Sequence, residues 1–243
     1  MRIFNSDGSE AEACGNGLRC FTKFAIERNM VDLKTLNGED ASLSIETLAG
    51  IRIAKTYLTD KIVSRVEVSM GIPEFRAKEI PISIEQRTLA NDFQHNTTET
   101  KQTPLLGCSL SVEDEELRLW LLSMGNPHAV NFRPQTVVNF PLSDYGPIIE
   151  TDSLFPKHTN FEVAKVLDKN KIEARVWERG VGETLSCGSG ACAIAVASKL
   201  LGYTEENVDI ILKGGILSIS WDGMGEVKLT GPVNEVFSGK YLI

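Results

Sequence analysis

Glu183-Thr184-Leu185-Ser186-Cys187-Gly188-Ser189-Gly190 opens an Ala-rich, helical-looking segment that runs to about Leu201. Near the start of the chain, Glu10-Ala11-Glu12-Ala13-Cys14-Gly15-Asn16-Gly17 opens another, running to about Asn29. Laying Cys187 on Cys14 also places Glu183 on Glu10, Gly188 on Gly15 and Gly190 on Gly17, more agreement than chance supplies in so short a window. Each cysteine is therefore expected in a glycine-rich turn at a helix N-terminus. Free backbone N–H groups and the positive end of the macrodipole gather there and favour negative charge. Such a place can lower a thiol's pKa and hold a carboxylate beside it. The echo implies two related domains, with the rest of the chain as scaffold that brings the two turns together.

Working outward, Leu43–Thr47 and Ile51–Lys55 alternate apolar and polar residues across Leu48-Ala49-Gly50, which predicts a β-hairpin. Ile62–Val68 alternates again and ends at the turn signal Met70-Gly71-Ile72-Pro73, with a domain change expected near Tyr57–Lys61. Residues 76–107 are polar with little periodicity, the pattern of a surface insertion or long loop. Leu117–Leu122 reads as a strand that stops at Ser123-Met124-Gly125-Asn126-Pro127-His128, and Ala129–Phe132 as a short strand beyond that turn. Thr136–Thr151 is weakly helical at best, being interrupted by Pro141 and Gly146-Pro147. Phe161–Val166 and Ile172–Trp177, joined through Asp168-Lys169-Asn170, predict a second hairpin that leads through Glu178-Arg179-Gly180 into the second cysteine turn. After Gly202, a good residue to end a helix, short strands are expected at Val208–Leu212, Ile216–Trp221, Val227–Thr230 and Val233–Phe237.

Short, turn-separated strands without regular βαβ alternation argue against a doubly wound parallel sheet. The expected class is α+β, with two pseudo-symmetric domains, each a curved antiparallel sheet or barrel wrapped around a central helix, and the active site in the cleft between them. The first domain is placed at residues 1–57, completed by a C-terminal strand at 232–243. The second is placed at 58–231 and carries the polar insertion.

The chain has 243 residues, 42% of them hydrophobic, enough for a substantial core. A net charge of −8 and a pI near 5.1 argue against nucleic-acid and anionic-membrane partners. The N-terminus lacks the apolar region of a signal peptide, and the most apolar run, Ala191–Ala197, is too short to span a bilayer. A soluble, cytoplasmic protein is expected. Its five cysteines are odd in number and form no Cys-x-x-Cys pair, which speaks against a disulfide framework or a zinc ribbon, so reduced thiols and no metal are expected. Cys20, Cys108 and Cys192 read as small buried hydrophobes.

Two thiols, each beside an anion cradle, suit one reaction above others: inversion of an amino-acid α-carbon. A base on one face takes the proton and an acid on the other returns one. The carbon is a very weak acid, so the helix dipoles and N–H groups must stabilise the charge that develops, in a site closed to water. No cofactor is required by this scheme.

Four blocks carry a resemblance. They are Asn5-Ser6-Asp7-Gly8-Ser9 with Ala11 and Cys14-Gly15-Asn16-Gly17; Met124-Gly125-Asn126-Pro127-His128; Phe155-Pro156 with Thr159-Asn160; and Trp177-Glu178-Arg179-Gly180-Val181-Gly182-Glu183-Thr184 with Cys187-Gly188-Ser189-Gly190-Ala191. In this order, over nearly the whole chain, they resemble the signatures of the diaminopimelate epimerases. That family of cofactor-independent isomerases interconverts LL- and meso-diaminopimelate in lysine and cell-wall precursor synthesis. The resemblance implies Cys14 and Cys187 as the acid/base pair. It implies that the N–H groups of Gly15, Asn16, Gly188 and Ser189 hold the reacting carboxylate. It further implies substrate contacts from Asn5, Asn126, Asn160 and Arg179, a place for Glu178 near the reacting amine, and His128 as a neighbour tuning the thiols. The partner would be a small molecule, diaminopimelate, with a homodimer left open. The family's sequences normally begin with two or three further strands, so a first domain with an exposed sheet edge and an uncovered helix face is expected here. A related two-cysteine racemase, a silent homologue and a thiol–disulfide redox protein are the alternatives.

Overall fold

In the computed structural model the described residues are 1–4, 8, 10–31, 41–83 and 106–240. The chain divides into two compact units, Met1–Ser69 with Thr230–Ile243, and Met70–Leu229.

In the first unit, β1 (Ile3–Phe4) pairs antiparallel with β2 (Glu10–Ala11), and α1 (Gly15–Glu27) follows directly. β3 (Ser42–Thr47), β4 (Gly50–Thr59) and β5 (Ile62–Ser69) then form an antiparallel meander, with Thr47 opposite Gly50 across the expected turn. Gly50 takes φ of +92°, a conformation that favours glycine. Leu18, Thr22, Ala25 and Ile26, spaced one and two helical turns apart, are the buried stripe of α1, which packs on β4 and β5. The unit extends to Ser69. β5 pairs along β4 and buries Val63, Val66 and Val68. Residues from 230 onward return to this unit, and Val233 N donates to Ser64 O at 3.1 Å. The strand expected at Val233–Phe237 does not form: Val236 and Phe237 are exposed and find no sheet to bury them.

The second unit contains β6 (Leu106–Val112), β7 (Glu115–Ser123), β8 (Pro127–Phe132), α2 (Leu142–Glu150), β9 (Asn160–Asp168), β10 (Lys171–Glu178), β11 (Gly182–Thr184), α3 (Gly188–Leu200), β12 (Asn207–Leu212) and β13 (Gly215–Ser220); β14 (Lys228–Pro232) begins in it and ends in the first unit. The sheet order is β13-β12-β10-β9-β8-β7-β6, with β11 on the end of β10. The antiparallel expectation holds for most pairs but fails at β8–β9 and β10–β12, which are parallel. A helix lies between the members of each of these pairs, α2 in the first and α3 in the second, giving the chain length to return in the same direction.

β6 was not expected from the sequence. Only its first two residues fall in the region read as loop, and it is joined to β7 by Glu113-Asp114 with Glu113 at φ 53°. Residues 84–105 of that region lie outside the described residues. α2 is a full helix despite Pro147, because Leu142, Tyr145 and Ile149 bury one face in a cluster with Phe140, Phe155, Phe161 and Val163. Gly146 is required there by contact, since a Cβ would lie 2.3 Å from the Trp177 ring. α3 is apolar all round and buried throughout Ala191–Ala197, the signature of a central helix. Cys108 and Cys192 are buried as expected, whereas Cys20 is exposed, on the side of α1 away from its buried stripe. Among the described residues no helix is long and apolar enough to cross a membrane.

Candidate active site

The two cysteines are the N-caps of the two 13-residue helices. Cys14 has extended φ/ψ of −142°/113°; its carbonyl accepts from Leu18 N at 2.8 Å and its sulfur from Gly17 N at 3.4 Å. Cys187 has φ/ψ of −112°/118°; its carbonyl accepts from Ala191 N at 3.0 Å and its sulfur from Gly190 N at 3.4 Å. A sulfur thus takes the place usually held by a serine or aspartate cap oxygen. Gly15 and Asn16, and Gly188 and Ser189, begin the helices, where N–H groups have no carbonyl four residues back inside the helix.

The echo extends upstream of the two cysteine octapeptides. Ile3 pairs with Ala11 and Phe4 with Glu10; at corresponding positions Val176 pairs with Thr184 and Trp177 with Glu183. Arg2 grips Glu10 through Nε and Nη2 at 2.7 and 2.8 Å, and Arg175 grips Glu183 the same way at 2.7 and 3.0 Å. In both copies the arginine precedes its glutamate by eight residues, a signal that was present in the sequence.

The parallel register of β8 and β9 sets His128 beside Asn160, and the antiparallel register of β9 and β10 sets Phe161 beside Trp177. The turns before β8 and after β10 and the cap of α3 therefore converge within the second unit. Asn160 Nδ2 donates to Pro127 O at 2.7 Å while its Oδ1 accepts from Arg179 N at 3.0 Å. Arg179 Nη1 donates to Lys157 O at 3.1 Å. The Glu178 carboxylate accepts from the Thr184 hydroxyl. Asn126 Nδ2 reaches Ser189 Oγ at 3.5 Å, and Ser189 Oγ lies 3.6 Å from Cys187 Sγ. His128 is fully buried, with Nε2 3.0 Å from Asn126 Oδ1 and Nδ1 2.6 Å from Glu162 Oε1.

Two acids in this frame were missed. Glu162 is a fully buried carboxyl on β9, two residues past Asn160. Its signal was a charge inside the otherwise apolar Phe161-Glu162-Val163-Ala164. Glu150, at the end of α2, accepts from Trp177 Nε1 at 2.7 Å and Gly180 N at 2.8 Å, and so pins the Glu178-Arg179-Gly180 turn.

Electrostatics depart from expectation at Cys187. Burial pushes its thiol well above the ordinary range, and the nearby Glu178 charge adds to this. The Ser189 and Gly190 hydrogen bonds pull the other way without prevailing. Desolvation penalises the thiolate, and for this enclosed side chain the penalty exceeds what the hydrogen bonds at the helix N-terminus return. Burial likewise pushes the Glu162 carboxyl up.

Comparison with known proteins places this arrangement. The sequence model of the diaminopimelate epimerases matches residues 1–76 and 120–236. The chain is 40% identical over 241 residues to the diaminopimelate epimerase of Methanococcus maripaludis, covering 99% of this chain and 78% of that one. It is 42% identical to that of Pelotomaculum thermopropionicum with the same coverage. The chain belongs to the diaminopimelate epimerase family. Its fold is also that of a probable proline racemase from Agrobacterium radiobacter, with a TM-score of 0.63 at 14% identity over 95% of this chain and 68% of that one. A PhzF-family phenazine biosynthesis protein from Bacillus anthracis matches with a TM-score of 0.63 at 18% identity, over 96% and 78%. Of the residues this epimerase family led us to expect, Asn126, His128, Asn160, Glu178, Arg179, Cys187, Gly188 and Ser189 lie in the second unit and Cys14, Gly15 and Asn16 in the first. Asn5 lies outside the described residues.

Proposed function

We propose that this chain epimerises LL-diaminopimelate to meso-diaminopimelate in the cytoplasm, in the supply of lysine and cell-wall precursors, with Cys14 and Cys187 as acid and base. The observation that carries this reading is the pair of cysteine caps with one hydrogen-bonding pattern, in a member of the diaminopimelate epimerase family. One sulfur, as thiolate, takes the α-proton; the other, as thiol, delivers its proton to the opposite face, and the protonation states are exchanged at the end of the turnover. The N–H groups of Gly15, Asn16, Gly188 and Ser189 hold the reacting carboxylate and stabilise the negative charge that spreads into it. Glu178 faces the α-ammonium group, whose positive charge also stabilises the carbanion. Arg179 and Asn126, with Asn5, engage the distal amino-acid end, where a guanidinium can clamp a carboxylate with two bonds. Asn160 acts by holding the Arg179 backbone in place. Incubating the reduced protein with LL-diaminopimelate in deuterium oxide tests the reading: deuterium enters the α-position and the meso isomer accumulates. A folded, reduced protein that incorporates none would overturn it.

A further inference from the structure

Five side chains stand in series from a buried acid to the catalytic sulfur. Glu162 Oε1 meets His128 Nδ1 at 2.6 Å, His128 Nε2 meets Asn126 Oδ1 at 3.0 Å, Asn126 Nδ2 meets Ser189 Oγ at 3.5 Å, and Ser189 Oγ meets Cys187 Sγ at 3.6 Å. The direction of each bond follows from chemistry. Asn126 Oδ1 only accepts, so Nε2 of His128 carries a hydrogen. Nδ1 then either accepts from a protonated Glu162 or, if the ring is charged, donates to its carboxylate. The two forms differ by one proton moved along the same contact, and both are neutral overall. Glu162 is fully buried, and Glu178 lies close enough to disfavour a second negative charge; together these outweigh His128 and the Ala129 N–H, which favour a carboxylate. Both facts favour the form with the proton on Glu162. Further along, the Ser189 oxygen is occupied as an acceptor by Asn126, which leaves its hydrogen for Cys187.

We propose that Glu162 is a positioning residue for Cys187: with His128 it stores the proton that keeps Asn126 oriented, and thereby keeps the Ser189 hydroxyl donating to the sulfur. The inference rests on the epimerase reading only for its consequence in turnover. Loss of the stored proton leaves Nε2 bare opposite Asn126 Oδ1. The amide must then turn its nitrogen toward the ring, and the Ser189 hydroxyl turns to the amide oxygen instead of the thiolate. The ionisable groups that face Glu162 are His128 on β8, Glu178 at the end of β10 and Cys187 at the cap of α3.

Two variants and two substrate-free readouts test it. Glu162→Gln offers Nδ1 the same donor, so His128 keeps its Nε2–H tautomer, read by nitrogen-15 NMR, and the Cys187 titration, read from its carbon-13 β shift, stays where it is in the parent. Glu162→Leu removes the donor. Held on one side only, the ring no longer keeps a single orientation and a single tautomer, the Cys187 inflection moves up by about one pH unit, and inversion at neutral pH falls about tenfold, the effect of one lost hydrogen bond to a charged group. If the leucine variant does not fold, Glu162→Asp, whose carboxyl is withdrawn from Nδ1, takes its place with the same expectation. A folded Leu or Asp variant with the parent tautomer and inflection overturns the proposal, as does a Gln variant that behaves like Leu. Because neither spectroscopic readout needs substrate, failure of the parent to turn over diaminopimelate would remove the functional reading and leave this inference standing or falling by itself.

Discussion

The cap of α1 and the cap of α3 have the same local design in different surroundings. Each presents a sulfur to a backbone N–H at 3.4 Å, each follows a short two-stranded pairing in the same register, and each glutamate is gripped by an arginine eight residues earlier. Around Cys14 these parts are open: the thiol is partly exposed and the Arg2 side chain is 70% exposed. Around Cys187 they are enclosed: the thiol is 4% exposed, Arg175 also donates to the carbonyls of Val137, Val138 and Phe140, and Glu183 takes a second cation, Lys213, at 2.6 Å. Local sequence sets hydrogen-bond geometry, whereas burial sets how strongly that geometry is felt. The same sulfur cap is therefore an accessible thiol in one unit and a desolvated one, hard to ionise, in the other.

The largest effects should be alike at the two caps. Cys14→Ala and Cys187→Ala each lower the inversion rate by about 10³-fold or more, the scale of a lost acid/base group, measured by circular dichroism of product formation. A large drop at one and not the other would break the symmetry of roles.

Stability should separate them. At Gly190 an added Cβ lies 3.0 Å from Glu162 Oε1, itself held by His128, and 3.3 Å from Val176. Gly190→Ala is expected to cost about 1–2 kcal/mol by overpacking. At Gly17 the nearest atoms stand at 3.6 Å, ordinary contact. Gly17→Ala is expected to be neutral or to stabilise by about 0.5 kcal/mol through better helix propensity. Urea unfolding of both variants measures the contrast, and equal costs would mean that α3 is no more tightly packed at its cap than α1.

The smallest effects concern the two glutamates. Hydrogen bonds from Arg175 hold the Glu183 carboxyl down, from 4.5 to about 2. A group depressed on folding stabilises the native state above its unfolded pKa, and that contribution is lost as pH falls from about 4.5 through about 2. Glu183→Gln removes this part of the acid dependence and costs about 1 kcal/mol at neutral pH. Arg2 also lowers the Glu10 carboxyl, but its own side chain is 70% exposed where that of Arg175 is 10% exposed, so Glu10→Gln should leave the melting temperature and its pH profile nearly unchanged. Melting curves between pH 2 and 7 compare the two.

Much of this was legible before the structure. Alternation in Leu43–Thr47 and Ile172–Trp177 placed strands within a residue, and that in Ile51–Lys55 placed the start of a strand that runs on to Thr59, because one face of each is buried and the other is not. Reading failed where context overrules local preference. Pro147 forbade no helix once Leu142, Tyr145 and Ile149 had a cluster to enter, and Val233–Phe237 made no strand for want of a partner. At the site, Asn126, His128, Glu178 and Arg179 came from motifs, while Glu162 and Glu150 did not, since their importance lies in what the fold sets beside them.

The sequence by itself determined the two sulfur caps and the family, because a glycine-rich turn closing on its own helix is governed by neighbours a few positions away. Only the tertiary structure decided how the caps differ. Burial, the convergence of β8, β9 and β10, and the charge of Glu178 act across long stretches of chain, and it is these that turn one copy of a repeated turn into an enclosed thiol served by a buried acid.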